Sequence, residues 1–242
     1  MIGIICAMRE EVDGFLASAT MPGIGESAPG IGTSATAKLR IGGCDAVIAH
    51  SGLGKVNAAM TAALLIERFA CRALVSAGTA GGLDGVEPPQ VVVGIEIVQH
   101  DYGRSRGLGA LELYRPGDPP LPQYLRENFA LVLPEDERRA FRELTRDLPH
   151  VRFGRFASGD TFVNDAATQA RLIGLGAIAV DMESGAVAQV AEAQGLPWLV
   201  AKGISDAASG QSHEEFLAGL VAASRRSAEV VAALLPAIPR NR

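Results

Sequence analysis

Short runs rich in Ile, Val and Ala recur along the chain, and most are followed by a stretch whose apolar residues have helical spacing. Ile2–Cys6, Ala46–His50, Ala73–Ala77, Val91–Val98, Val151–Ala157, Ala177–Val180 and Trp198–Ile204 read as strands. Glu10–Ser18, Val56–Phe69, Arg138–Arg146, Asp165–Leu172, Gly185–Ala193 and Glu214–Leu235 read as helices. Alternation of this kind has few compact solutions, and the expected one is an α/β sandwich built around a central sheet. Ala73–Ala77 runs into GTAGGLDG, which reads as a glycine-rich turn. Residues 20–35 and 103–125 are rich in Gly, Pro or polar residues and read as loops, the second long enough to be functional. The 242 residues are ample for a full core, and no repeat or composition break divides them, so one domain over 1–242 is expected.

Charge and composition remove several function classes. A net charge of −5 does not suit electrostatic binding to nucleic acid or to an anionic membrane. No apolar run reaches membrane-spanning length, and MIGIICAM runs straight into Arg9-Glu10-Glu11 with no basic region before it. It reads as a first core strand rather than a signal peptide. Cys6, Cys44 and Cys71 are odd in number and widely spaced, as expected of free thiols in a reducing cytoplasm. His50, His100, His150 and His213 lack ligand spacing, so no metal is expected. SGLGKVNAA has Ala49 and Val56 where a phosphate-binding P-loop needs Gly and Ser/Thr, and Asn57 where the dinucleotide fingerprint needs Gly. What survives is a tight strand-to-helix turn at Gly52 and Gly54, with backbone N–H groups at a helix start. No G-x-S-x-G elbow is present.

Acids at strand ends carry the functional signal. Glu10-Glu11 follow the first strand, Asp181 and Glu183 follow IAV, and Asp206 follows WLVAKGIS. Singly, each has an ordinary explanation as a first-turn acid or a helix cap. Together they put carboxylates at the carboxyl ends of three strands, where open α/β sheets bind ligands. Carboxylates without a metal or a nucleophile suit glycosidic bond cleavage, which passes through an oxocarbenium-like state and needs an acid for the leaving group and a base for water.

Six segments, IGIICAMREEV (2–12), SGLGKVNAA (51–59), SAGTAGGL (76–83), SGDTFVND (158–165), AVDMESGAVAQVA (179–191) and KGISDAA (202–208) with QSHEEF (211–216), occur in an order that spans nearly the whole chain. In them the chain resembles the purine nucleoside phosphorylase/nucleosidase superfamily, and within it the 5′-methylthioadenosine/S-adenosylhomocysteine nucleosidase family. The resemblance implies a three-layer α/β/α sandwich with a central mixed sheet. It implies hydrolysis of the N-glycosidic bond of methylthioadenosine- or adenosylhomocysteine-type nucleosides, with release of adenine and without a cofactor. A cytoplasmic homodimer working in methionine salvage goes with it. By the same resemblance Glu11 is the base for the attacking water. Asp206 protonates adenine N7, oriented by Ser205, and Glu183 holds the ribose hydroxyls beside the Met182 backbone. Thr79, Ala80 and Gly81 line the sugar and water region. Phe162 stacks on the base and the Val163 main chain reads its edge. Met8, Leu53 and Phe216 line the 5′-alkylthio pocket.

The chain departs from the family pattern at Lys202, where Arg is usual, at Thr79, where Ser is common, at Asp181, where Glu is frequent, and over residues 100–118. Two further activities are therefore kept: a phosphorylase, with Lys202, Arg9, Arg104 or Arg106 serving phosphate, and a hydrolase of another purine nucleoside such as futalosine. A nucleoside-binding protein without turnover is a third reading, disfavoured because Glu11, Glu183 and Asp206 are all present.

Overall fold

The computed structural model describes residues 1–18, 27–31, 34–106, 111–118, 129–207 and 212–239; for residues 18, 27–31, 34, 35 and 212–218 it describes the backbone alone. In chain order the elements are β1 (Ile2–Cys6), α1 (Arg9–Ser18), β2 (Ser27–Ile31), β3 (Ser34–Ile41), β4 (Cys44–His50), α2 (Lys55–Phe69), β5 (Leu74–Gly82) and β6 (Val91–Gln99). There follow β7 (Gly103–Ser105), β8 (Leu111–Leu113), β9 (Leu131–Val132), α3 (Glu135–Leu144), β10 (Val151–Ser158), α4 (Ala166–Gly174), β11 (Ala177–Asp181), α5 (Ser184–Ala193), β12 (Trp198–Asp206) and α6 (Ser212–Leu234).

Uninterrupted apolar runs suit strands buried on both faces. β1 lies between β4 and β5, parallel to both, and β12 runs parallel to β5 on its other side. β12 then pairs antiparallel with β6, which is followed by β10 and β11 in parallel. At the far edge β3 and β2 add antiparallel strands to β4. The result is a mixed sheet. It curls back on itself where Ala179 and Val180 of β11 pair antiparallel with Gly82 and Gly81 of β5. Helix α6 packs on β12 and β5 with α1 against it, while α2 and α5 pack together on β1, β5 and β12, giving the α/β/α layers. One hydrophobic cluster runs through these layers, with Trp198, Phe15, Phe141 and Phe156 among its largest fully buried side chains.

Three expectations from the sequence need correction. GTAGG is strand and not turn: β5 continues to Gly82 because β12 supplies partners for Gly78 to Gly81, and β11 supplies them for Gly81 and Gly82. The stretch 20–35 contains β2 and the start of β3, small-residue strands that tertiary pairing holds. Part of 103–125 is a short hairpin, β7 with β8; residues 107–110 and 119–128 of that stretch lie outside the described set. The three cysteines are unpaired, as expected.

Candidate active site

A cavity of about 310 Å³ opens at the carboxyl ends of β1, β5, β11 and β12, and four carboxylates line it: Glu11, Asp181, Glu183 and Asp206. The acids seen at separate strand ends in the sequence are brought together, and each is almost wholly buried. Of the Glu10-Glu11 pair, helical phase exposes Glu10 and buries Glu11.

Glu11 is fixed from four directions. Its Oε2 accepts from the N–H groups of Ala7 at 2.8 Å and Met8 at 3.0 Å. Its Oε1 accepts from the Thr79 N–H and the Thr79 hydroxyl, both at 2.7 Å. Burial, the largest influence, pushes the Glu11 carboxyl above its ordinary pKa; the Lys202 ammonium and the Thr79 hydroxyl oppose that, and the Glu183 charge adds to it. Gly78 makes the arrangement possible. Its φ is +114°, and a Cβ there would sit 2.4 Å from the Glu11 carboxyl carbon.

Asp181 ends β11 and Glu183 begins α5. Asp181 accepts from the Ser184 N–H and from the Ser184 hydroxyl, which in turn lies 3.1 Å from the Ser76 hydroxyl. Asp181, not Glu183, therefore tends the start of α5. Glu183 turns toward the cavity, with Oε1 accepting from the Gly54 N–H at 3.0 Å and Oε2 from Lys202 Nζ at 3.0 Å. Lys202 also meets Asp181 Oδ2 at 2.7 Å. Burial alone would discharge this ammonium, but Asp181, Glu183 and Glu11 outweigh burial and raise its pKa above the ordinary lysine value. Asp206, the last residue of β12, accepts from the Ser205 hydroxyl at 2.7 Å, and the same hydroxyl lies 3.3 Å from the Ala80 carbonyl.

The other expected residues fall around these acids. Met8, Leu53, Thr79, Ala80, Gly81, Phe162, Val163, Met182 and Ser205 all line the cavity. Val163 is buried, whereas Leu53 and Phe162 stand half-exposed at the mouth. Phe216 lies on α6, and its side chain is outside the described set. Ala7, Thr161 and Val180 also line the cavity and carried no signal in the sequence, being small or apolar. The Ser76–Ser184–Asp181–Lys202 chain was equally hidden, because its members come from four elements. The Gly52/Gly54 turn does present N–H groups, but protein carboxylates take them: Gly54 serves Glu183, and Lys55 N–H donates to Asp160 Oδ1 at 2.7 Å.

Residues 1–236 match the family model described as the phosphorylase superfamily. A 5′-methylthioadenosine/S-adenosylhomocysteine nucleosidase of Mycobacterium bovis is 36% identical over 217 residues, covering 79% of this chain and 81% of the relative. The futalosine hydrolase of Helicobacter pylori superposes with a TM-score of 0.82 at 27% identity, covering 97% of both chains. The 5′-methylthioadenosine/S-adenosylhomocysteine nucleosidase of S. pneumoniae, solved with a transition-state inhibitor, superposes with a TM-score of 0.81 at 27% identity, covering 98% of both. A match along nearly its full length, with a shared fold and a carboxylate-lined cavity at the strand ends, makes this chain a member of the phosphorylase superfamily.

Proposed function

We propose that this protein hydrolyses the N-glycosidic bond of 5′-methylthioadenosine and S-adenosylhomocysteine, releasing adenine. The charge of the cavity carries the choice of water over phosphate. Among the described residues that line it there are four carboxylates and no Lys or Arg. Lys202 lies beside it but is already shared by Asp181 and Glu183. Arg104 and Arg106 both pair with Glu112 on the β7–β8 hairpin, and Arg9 is exposed. A phosphate nucleophile needs a positive cradle, whereas an oxocarbenium-like sugar is stabilised by carboxylates.

Glu11 is the base. All four of its donors must be reconciled with a water, and the Thr79 hydroxyl is the only one of them able to rotate away. It frees a lone pair on Oε1, or accepts from the water while still donating to the carboxylate. Asp206 supplies the proton to adenine N7, its orientation set by Ser205. Glu183 takes the ribose hydroxyls on the lone pairs that Gly54 and Lys202 leave open, beside the Met182 backbone. Phe162 stacks on the base and the Val163 main chain reads its edge. Ala80 and Gly81 flank the sugar, and Met8, Leu53 and Phe216 receive the 5′ substituent. We read residues 1–242 as one catalytic domain, supported by a hydrophobic cluster that draws residues from Ile4 to Ile238. A homodimer is supported by exposed apolar side chains, Leu53 at the cavity mouth and Val56 and Met60 on α2, which follows it. Cytoplasmic placement accords with three free thiols, and recovery of methylthioadenosine in methionine salvage is the role this reaction would serve.

The test is product analysis with methylthioadenosine, with and without phosphate. Adenine plus free methylthioribose at a rate indifferent to phosphate is the expected result. Release only with phosphate, as a sugar 1-phosphate, overturns it. The likeness to futalosine hydrolase makes futalosine the second nucleoside to try.

A further inference from the structure

Outside the cavity, three chain segments are tied together by a small polar network that the proposed reaction does not use. Lys55 is the first residue of α2, which has no side-chain cap of its own. Its N–H donates instead to Asp160 Oδ1, across a sequence separation of 105 residues. Its ammonium donates to Asp101 Oδ1 at 2.6 Å and to Gln99 Oε1 at 3.3 Å. The second oxygen of Asp101 accepts from the Asp160 N–H at 2.9 Å, which closes the ring. Partial burial works to raise the Asp101 carboxyl, but the Lys55 ammonium and the Asp160 N–H outweigh it and hold its pKa below the ordinary aspartate value. Gly54, at φ +92°, lets Asp160 approach: a Cβ there would lie 3.1 Å from its Oδ1.

The three residues follow the carboxyl ends of β4, β6 and β10. Two of the three tied segments, those of Lys55 and Asp160, lead into the cavity. The residues before Lys55 are Leu53, which lines the mouth, and Gly54, whose N–H holds Glu183. The residues after Asp160 are Thr161, Phe162 and Val163, all lining the cavity. Phe162 is half-exposed at the mouth. A lone exposed ion pair is worth little, but here a helix N-terminus, an ammonium and two carboxylates share one ring, in which Lys55 is partly buried and Asp101 and Asp160 are exposed.

We propose that Lys55, Asp101 and Asp160 form a clasp that sets the distance between the Leu53–Gly54 turn and the Phe162–Val163 segment, and so positions the walls that hold the 5′ substituent and the base of a purine nucleoside. These are positioning residues, and none of them touches the reacting atoms. The idea rests on the nucleosidase reading for its ligand. Because the clasp acts on binding walls and not on Glu11 or Asp206, its loss should weaken binding while sparing the chemical step.

The experiment compares Asp160→Ala, Asp160→Asn and Lys55→Met with the parent in steady-state kinetics on methylthioadenosine, with melting temperatures and amide hydrogen exchange of residues 52–56 and 159–163. The expected result for Asp160→Ala and Lys55→Met is a KM raised roughly tenfold with kcat within about threefold. Exchange should be faster in both segments and the melting temperature little changed. Asp160→Asn keeps an oxygen acceptor for the Lys55 N–H and should restore most of the affinity. Unchanged KM and unchanged exchange in folded variants overturn the clasp, as does a fall in kcat at constant KM. If the parent releases no adenine from any purine nucleoside, the nucleosidase reading fails. The clasp is then decided by exchange alone: faster exchange in both segments upholds it, and parental exchange overturns it.

Discussion

Replacing Lys202 with Met removes the one ammonium that two buried carboxylates share. Nζ lies 2.7 Å from Asp181 Oδ2 and 3.0 Å from Glu183 Oε2, with 1% of the Lys202 side chain exposed. Breaking a buried ion pair by deleting one partner costs about 3–5 kcal/mol, because the other charge stays desolvated and unpaired. For a chain of this size about 1 kcal/mol moves the melting temperature by roughly 2–4 °C, so a drop of about 6–20 °C is expected near neutral pH. The pH dependence fixes the cause. A lysine whose folded pKa is raised contributes stability that is fully present below the ordinary lysine pKa, so the ammonium is constant between pH 5 and 8 in the parent. In Lys202→Met the raised Glu11 carboxyl loses the ammonium that lowers its pKa, so the folded state takes up a proton more readily and the gap from the parent should narrow as pH falls. Calorimetric melting of both proteins from pH 5 to 8 reads this directly. Lys202 also pulls the Glu11 pKa down, so its loss should move the acid limb of kcat/KM to higher pH. Lys202→Arg keeps the charge and should keep that limb, while the larger group in a filled site costs about 1–3 kcal/mol. A melting temperature for Lys202→Met within about 2 °C of the parent, or a gap that does not vary with pH, would refute the reasoning.

Three further outcomes follow from the site. Because burial pushes the Glu11 carboxyl up, kcat/KM should lose activity on the acid side at a pH above the ordinary glutamate range; a pH–rate profile flat through that range removes Glu11 as the base. Asp206→Asn should lower turnover by about 10²–10⁴-fold while the affinity for a non-hydrolysed nucleoside analogue, measured by calorimetry, changes little. Gly78→Ala places a methyl 2.4 Å from the Glu11 carboxyl carbon at a φ of +114°, so kcat should fall sharply while the protein still binds the analogue.

Much of this architecture is legible without coordinates. The apolar runs of β1, β4, β6, β10 and β11 sit within a residue or two of where their composition puts them, because local periodicity and β-branched content need no distant partner to be read. The position of acids directly after such runs was equally visible, and so was the helix that brings Gly54 and Lys55 out of the SGLGK turn. The glycines of β5 misled, since Gly in sequence signals a turn and here Gly78 makes room for Glu11 and Gly82 for the Val86 carbonyl. β2 and β3 were missed because the Ser, Ala, Pro and Gly of SAPGI and the start of SATAKLRI carry little strand signal until an edge pairs with them.

Composition and periodicity determined the α/β class, the strand ends that would hold the chemistry, and the acids available there. Tertiary structure buried Glu11 and exposed Glu10, and it alone made Asp181 the partner of Lys202 and the support of α5 and left the cavity without a free cation among the described residues that line it. Closure of β11 onto β5, 99 residues apart at Val180 and Gly81, is what crowds these groups together. The physical reason is desolvation. A carboxylate's proton affinity and a lysine's charge depend on what is packed against them, and those neighbours come from strands that only the folded sheet makes adjacent.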